Sequence, residues 1–355
     1  MRRIGDEAGD AGHGAALPGP GAGDDRARGP GIGTLLVIGG TTASGKSALA
    51  LRLARATGGV IVNADAAQLY RDLAVLTARP TPADEALAEH RLYGVLAADE
   101  PGSAGRWLEL VAPVLAEISA AGRPAILVSG TGLYLKALLH GIAPVPDIPP
   151  ALREELRAAA SRTPAPVLHE RLRDLDPLMA ARLQPSDPQR VLRALEVVLA
   201  TGRSLADWQE TAPFRLPLPQ RRRGLALLPP REVLAPRVKA RLRAMIAAGA
   251  LDELAAWRAR PDVPPTAALL KATGVAELAL VLDGKLGLEA ALARIAERTL
   301  QYAKRQRTFF RRQLPELAAL PVAGEEVADA TLRAWVETGA VPQPRPPLLP
   351  AADPL

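Results

Sequence analysis

The chain has 355 residues, 48% hydrophobic and 23% charged, which supplies a large core and excludes a wholly disordered chain. It lacks cysteine, which excludes disulfides and thiolate metal sites and fits a cytoplasmic setting. A net charge of +6 and a pI of about 9.9 favour an anionic partner, and no apolar run approaches the ~18 residues of a membrane span, so no membrane partner is expected.

Residues 1–32 are rich in Gly, Ala, Asp and Arg, show no periodicity and carry no signal-like apolar segment. They read as a disordered extension. Residues 34–54, TLLVIGGTTASGKSALALRLA, carry the strongest local signal. Leu35, Leu36, Val37 and Ile38 form a continuous apolar run, as in a strand buried on both faces. Gly40-Thr41-Thr42-Ala43-Ser44-Gly45-Lys46-Ser47 follows and fits G-x-x-x-x-G-K-S/T, after which Leu49, Ala50, Leu53 and Ala54 recur at helical spacing. Gly40 and Gly45 permit a tight turn whose N–H groups point at an anion, and the helix N-terminus adds partial positive charge. Lys46 reaches terminal phosphate oxygens, and the Ser47 hydroxyl is a candidate ligand for Mg²⁺. A polyphosphate is expected on residues 40–47.

Val60, Ile61 and Val62 predict a second parallel strand, ending at Asn63-Ala64-Asp65. This puts Asp65 at the carboxyl edge of the sheet, beside the phosphate loop. The plain alternative is that Asp65 caps the segment 66–70. Residues 104–121 predict a helix, and 125–128 a third strand. Ser129-Gly130-Thr131-Gly132 and a helix over 133–139 follow, placing the Thr131 hydroxyl at the same edge. Ser129 stands where a nucleotide-hydrolysing switch would often carry an aspartate, which argues against an ordinary NTPase.

Prolines at 144, 146, 149 and 150 mark a boundary, and helical patterns without strands run to about 214. Asp187-Pro188 reads as an N-cap and first helical position, and Gly202 as the stop. Leu192, Leu195, Val198 and Leu199 are the expected apolar face, with Gln189, Arg190 and Arg193 away from it. Residues 225–228 predict a return to the sheet, with Arg231 at its carboxyl edge. The helix over about 232–248 is expected to bury Leu234, Val238, Leu242, Met245 and Ile246, with Arg237 and Arg241 on another face. The helix over about 288–314 carries a core stripe of Leu288, Leu292, Ile295, Tyr302 and Phe309. It ends in clustered cations beside Phe309 and Phe310, a mixture that suits nucleic-acid backbone and unstacked bases. From 321 onward the chain reads as an irregular tail, proline-rich from 342. The fold class is therefore α/β: a P-loop NTPase-like parallel sheet flanked by helices (33–141 and 215–320) with an inserted all-helical subdomain (142–214).

These segments together resemble the tRNA dimethylallyltransferase family, in collinear order from about residue 35 to 313. Residues 40–47 resemble its G-P-T-A-S-G-K-S/T, with Thr41 for Pro. Asp65-Ala66-Ala67-Gln68-Leu69-Tyr70 resembles D-S-x-Q-x-Y, Thr77-Ala78-Arg79-Pro80 resembles T-A-K-P, and Val128-Ser129-Gly130-Thr131-Gly132-Leu133-Tyr134 resembles V-G-G-T-G-L-Y. Asp187-Pro188-Gln189-Arg190 with Arg193-Ala194-Leu195-Glu196 resembles D-x-Q-R-x-x-R-A-L-E, and Tyr302-Ala303-Lys304-Arg305-Gln306 resembles Y-A-K-R-Q. Ala66 replaces a family Ser, Leu76 a Gly, Val275-Ala276 a Tyr and a Lys or Arg, and Leu300 an Arg.

The resemblance implies transfer of a dimethylallyl group from dimethylallyl diphosphate to N6 of adenine 37 in the anticodon stem-loop of tRNA. Asp65 would be the base, Thr131 would orient a substrate, and Lys46, Mg²⁺ on Ser47 and Arg231 would stabilise the leaving diphosphate. Asp65, Ala66, Ala67, Gln68, Thr131, Arg153, Gln189, Arg190, Val191, Leu192 and Arg193 would touch the RNA, and a monomer is expected. The rival readings are a P-loop kinase, an isopentenyltransferase acting on free adenine nucleotides, and an RNA-binding protein with a vestigial phosphate site.

Overall fold

The computed structural model describes residues 33–342; the expected N-terminal extension and the proline-rich end of the tail lie outside them. The chain opens with β1 (Thr34–Gly40), the phosphate loop and α1 (Lys46–Thr57), then β2 (Val60–Asn63). Two short helices follow, α2 (Ala74–Thr77) and α3 (Pro82–Leu87), then β3 (His90–Arg91), α4 (Ala104–Ala120), β4 (Ala125–Ser129) and α5 (Gly132–His140). The helices α6 (Pro150–Ala160), α7 (Ala165–Leu175), α8 (Pro177–Arg182), α9 (Pro188–Thr201) and α10 (Leu205–Glu210) come next. The chain returns through β5 (Arg221–Leu227), α11 (Arg231–Ala247), α12 (Ala250–Arg258), α13 (Val275–Leu282) and α14 (Leu288–Gln313). It ends with β6 (Ala318–Leu320) and α15 (Asp329–Thr338).

The six strands form one parallel sheet in the order β3-β2-β4-β1-β5-β6. The central strands β1, β2 and β4 are buried on both faces, which is why they read as apolar runs. Side chains alternate across the pleat. Leu35, Val37, Val60, Val62 and Leu127 pack with Trp107 and Val111 of α4, Leu135 of α5 and Phe310 of α14. Leu36, Ile38, Ile61, Ile126 and Leu225 pack with Leu49 and Leu53 of α1 and with Leu332 and Trp335 of α15.

The tail read as irregular from 321 instead forms a 3₁₀ turn (Gly324–Glu326) and α15. The reason is tertiary: Val327, Leu332 and Trp335 are buried on α1 and the sheet, a face that exists only once the strands assemble. On α9 the buried positions are Val191, Ala194, Leu195, Glu196 and Val197, so the apolar face is rotated from the expected one and Leu199 is exposed. Helices α6–α10 enclose their own core around Leu168, Leu172, Val191 and Leu195. An antiparallel bridge between Ile142 and Phe214 brings the two ends of this helical segment together.

Candidate active site

Registers of β1, β4 and β2 align Gly39 with Ser129 and Asn63 with Val128, so the segments after all three strands emerge at one edge. There they line a cleft of about 1020 Å³ together with α11, α14 and the turn before α13. Residues 42–47 of the phosphate loop form one wall. Gly45 has φ of +83°, a left-handed conformation that its missing Cβ makes cheap, and Ala43 shares that region at +58°. Gly40 and Thr41 lie beneath, where the Thr41 N–H donates to Leu227 O at 3.1 Å, a bond that proline could not make.

Lys46 Nζ donates to Thr41 O at 2.6 Å. Burial lowers the Lys46 pKa from 10.5 to about 8, opposed by the Asp65 carboxylate and assisted by the Arg241 cation. Ser47 is exposed to the cleft on the first turn of α1. Its hydroxyl would be one ligand for Mg²⁺ bridging to a phosphate; among the described residues no group of three or more His, Asp or Glu could hold a metal by itself.

Asp65 caps the following turn and also stands at the cleft, the two placements expected as alternatives. Oδ1 accepts the Ala67 N–H at 3.1 Å, as a cap, while Oδ2 lies beside Gly130 at the cleft. Buried Asn63 fixes the turn, accepting the Asp65 N–H at 2.8 Å and donating to Leu92 O at 3.0 Å. Thr131 Oγ1 accepts the Ala66 N–H at 3.1 Å and ties the ends of β2 and β4 together. Ser129 is buried, and its hydroxyl donates to Ala64 O at 2.5 Å. Gln68 also lines the cleft, but its Nε2 holds Thr77 O and Ala78 O, each at 2.9 Å.

Other expected site residues are not gathered here. Arg231 opens α11, is exposed and pairs with Glu297 at 3.0 Å, so it does not flank the phosphate loop. The guanidinium groups beside the loop belong to residues about two and three turns on. Arg237 Nε donates to Ala43 O at 2.8 Å, and Arg241 Nη1 lies 3.5 Å from Thr42 Oγ1, its pKa lowered by burial. Leu242, Met245 and Ile246, expected in the core, are half-buried and line the cleft with them. Arg153 lies on α6, and Gln189, Arg190, Leu192 and Arg193 on α9, outside the cleft lining. Arg190 is exposed and Arg193 bonds Glu196 at 3.3 Å. Val191 is fully buried, so its side chain cannot be an RNA contact.

Helix α14 departs most from its expected pattern. Tyr302, placed in the core stripe, lines the cleft beside Arg305, and burial with the nearby Asp65 charge raises its pKa to about 12. Phe310 is buried against Gly39 and Phe309 packs over Gly132, so this pair does not offer free faces to bases. Leu300 is buried among Leu234, Val238 and Ala303, facing α11, so an arginine at this position would not face the cleft. Gln306, quoted in the sequence only as part of a motif, is buried. Its Oε1 accepts the Thr42 N–H at 2.8 Å and its Nε2 donates to Gly130 O at 2.9 Å, bridging phosphate loop and Thr131 turn. Lys271, Thr273 and Arg298 complete a basic, polar side of the cleft that the sequence reading missed. Arg237 and Arg241, four residues apart on α11, were legible as a basic pair, though not as neighbours of the phosphate loop.

Residues 68–313 match the family described as IPP transferase, and residues 33–96 match isopentenyl transferase. The chain is 51% identical over 285 residues to a tRNA dimethylallyltransferase of Rhodospirillum rubrum, covering 80% of this chain and 87% of that one. It is 51% identical over 282 residues to one of Rhodopseudomonas palustris, covering 79% and 87%. Among solved structures it is similar to a tRNA isopentenylpyrophosphate transferase of Bacillus halodurans, with 29% identity, TM-score 0.61 and coverage of 86% and 95%. It is also similar to a eukaryotic dimethylallyltransferase described as acting on tRNA, with 25% identity, TM-score 0.70 and coverage of 85% and 77%. A phosphate loop facing a carboxylate across one cleft, and these likenesses over most of the sequence, establish that the chain belongs to the IPP transferase family.

Proposed function

We propose that this chain transfers the dimethylallyl group of dimethylallyl diphosphate to N6 of adenine 37 in the anticodon loop of tRNA, giving N6-dimethylallyl adenosine and diphosphate. The observation that carries this reading is the meeting of residues 42–47 and Asp65 in one cleft, on a chain whose relatives are tRNA dimethylallyltransferases.

The exocyclic amine of adenine is a weak nucleophile because its lone pair is delocalised into the ring. Asp65 Oδ2 takes the amine proton as N6 bonds to the allylic C1. The C1–O bond breaks and its electron pair leaves on diphosphate. Loop N–H groups, Lys46 and the Arg241 guanidinium hold that growing negative charge in a cleft where both side chains are half-buried. The Ser47 hydroxyl would help hold Mg²⁺, which would supply further neutralisation of charge on the leaving group. Thr131 Oγ1, which accepts the Ala66 N–H on one lone pair, orients the amine by accepting its second N–H on the other. The base leaves its stack to reach the cleft, which is easiest from a single-stranded loop. Helices α6–α10, carrying Arg153, Gln189, Arg190 and Arg193, supply further RNA contacts. One chain provides every group named, so no second subunit is called for and the proposed active form is a monomer.

The test is label transfer from radiolabelled dimethylallyl diphosphate with Mg²⁺, offering unmodified tRNA and free AMP separately, with Asp65→Asn as control. Asparagine keeps an oxygen for the Ala67 N–H but takes no proton. Label is expected in tRNA, falling about 10²–10⁴-fold in the variant. Label on AMP alone would move the protein to free-nucleotide prenylation. Transfer of the ATP γ-phosphate without prenyl transfer would make it a kinase.

A further inference from the structure

Carbonyls that turn out of the phosphate loop are captured, and the capturing groups trace to the C-terminal segment. Ala43 O accepts from Arg237 Nε at 2.8 Å, and Ser44 O accepts the Gly324 N–H at 2.8 Å. A trans peptide is planar, so a Ser44 carbonyl held outward turns the Gly45 N–H the opposite way, into the loop. Arg237 is itself held: its Nη2 donates to both Glu325 oxygens, at 2.8 and 2.9 Å. The Glu325 carboxylate lies so close to Gly45 that a Cβ there would sit 2.6 Å from Oε2. A Cβ on Gly324 would collide with the Gly45 carbonyl. The turn is anchored from behind by Arg52 of α1, which donates to Gly324 O at 3.0 Å and to Val327 O at 2.5 Å.

We propose that Glu325 is a positioning residue for the phosphate loop: it holds Arg237 on the Ala43 carbonyl while the adjoining Gly324–Ser44 bond aims the Gly45 N–H at the diphosphate. This rests on the reading of the loop as the site of the diphosphate donor. Residues 324 and 325 lie beyond the 68–313 match to the family, so the role belongs to the tail and not to its matched motifs. Charge alone predicts the opposite sign, because a carboxylate beside an anion site repels the anion and its removal would tighten binding. Positioning predicts weaker binding, since the anion loses aligned donors.

The experiment measures binding of inorganic diphosphate with Mg²⁺ by calorimetry, and KM for dimethylallyl diphosphate and for tRNA. It uses the full chain as wild type, Glu325→Ala, Glu325→Gln, Arg237→Ala and the Ala double variant. Glu325→Ala is expected to weaken diphosphate binding and raise donor KM about tenfold, leaving tRNA KM within about twofold. Glu325→Gln keeps one acceptor for Nη2 and is expected to recover most of the loss. Adding Glu325→Ala to Arg237→Ala is expected to change nothing further. Unchanged or tighter diphosphate binding in Glu325→Ala overturns the proposal. So does an effect that persists undiminished without Arg237, or an equal rise in both KM values with a lowered Tm. If the wild type binds no diphosphate, the donor-site reading fails and this proposal falls with it, whereas normal wild-type binding with an unaffected Glu325→Ala variant defeats this proposal alone.

Discussion

In the proposed reaction Lys46 sets the pH range of donor capture. Burial brings its pKa to about 8, so the ammonium is present below that value and is lost as pH rises through it. kcat/KM for dimethylallyl diphosphate reports the free enzyme and is expected to fall above pH 8 along a one-proton limb. At saturating donor, the bound anion favours the charged lysine, so the descending limb of kcat should lie at higher pH. Coincident limbs at pH 8 in both profiles would mean that Lys46 does not touch the diphosphate. At this scale the sequence was readable where residue type and position coincide. Lys46 follows a glycine turn, and Asp65 ends a strand beside it. Arg231 follows β5 after three intervening residues, yet pairs with Glu297, because a helix opening at Arg231 turns its first residue outward and its second and third turns toward the loop.

Between residue and fold, the elements differ in how far their sequence alone could place them. Strands β1, β2 and β4 were legible as apolar runs because both of their faces are covered. β3 and β6, of two and three residues, are too short to show any period. α15 has only Leu332 and Trp335 buried along its length, and the surface they cover belongs to α1 and the sheet. α11 misled for another reason: its half-buried Leu242, Met245 and Ile246 line a cleft, and periodicity cannot tell a cleft wall from a core. The helical segment after Ile142 has a separate core, and the Ile142–Phe214 bridge brings its ends together. Replacing residues 143–213 by a short glycine linker across that bridge is therefore expected to leave diphosphate binding within about threefold of wild type, the two sites being independent. Prenyl transfer to tRNA should be lost. Retained tRNA turnover in this variant, measured by label transfer, would remove α6–α10 from the RNA interface.

Across the whole molecule, two substrates of different electrostatic character must reach one cleft. On the proposed reading the donor is small and its charge meets Lys46 and Arg241, half-buried in the cleft, where salt screens less than at an open surface. The tRNA is a long polyanion approaching a chain of net charge +6, so its capture depends on counterion release from many phosphates. Raising salt is thus expected to depress kcat/KM for tRNA steeply while moving donor KM little. Each lost phosphate contact lowers the log–log salt slope by about 0.7 to 0.9. Arg190 provides the sharpest case, being exposed on α9 with only an exposed pairing to Asp187, worth little against a phosphate. Arg190→Ala should weaken tRNA binding, reduce the salt slope by about one contact and leave donor KM unchanged. A variant with lower tRNA affinity but an unaltered slope would show that Arg190 shapes α9 without meeting the RNA backbone.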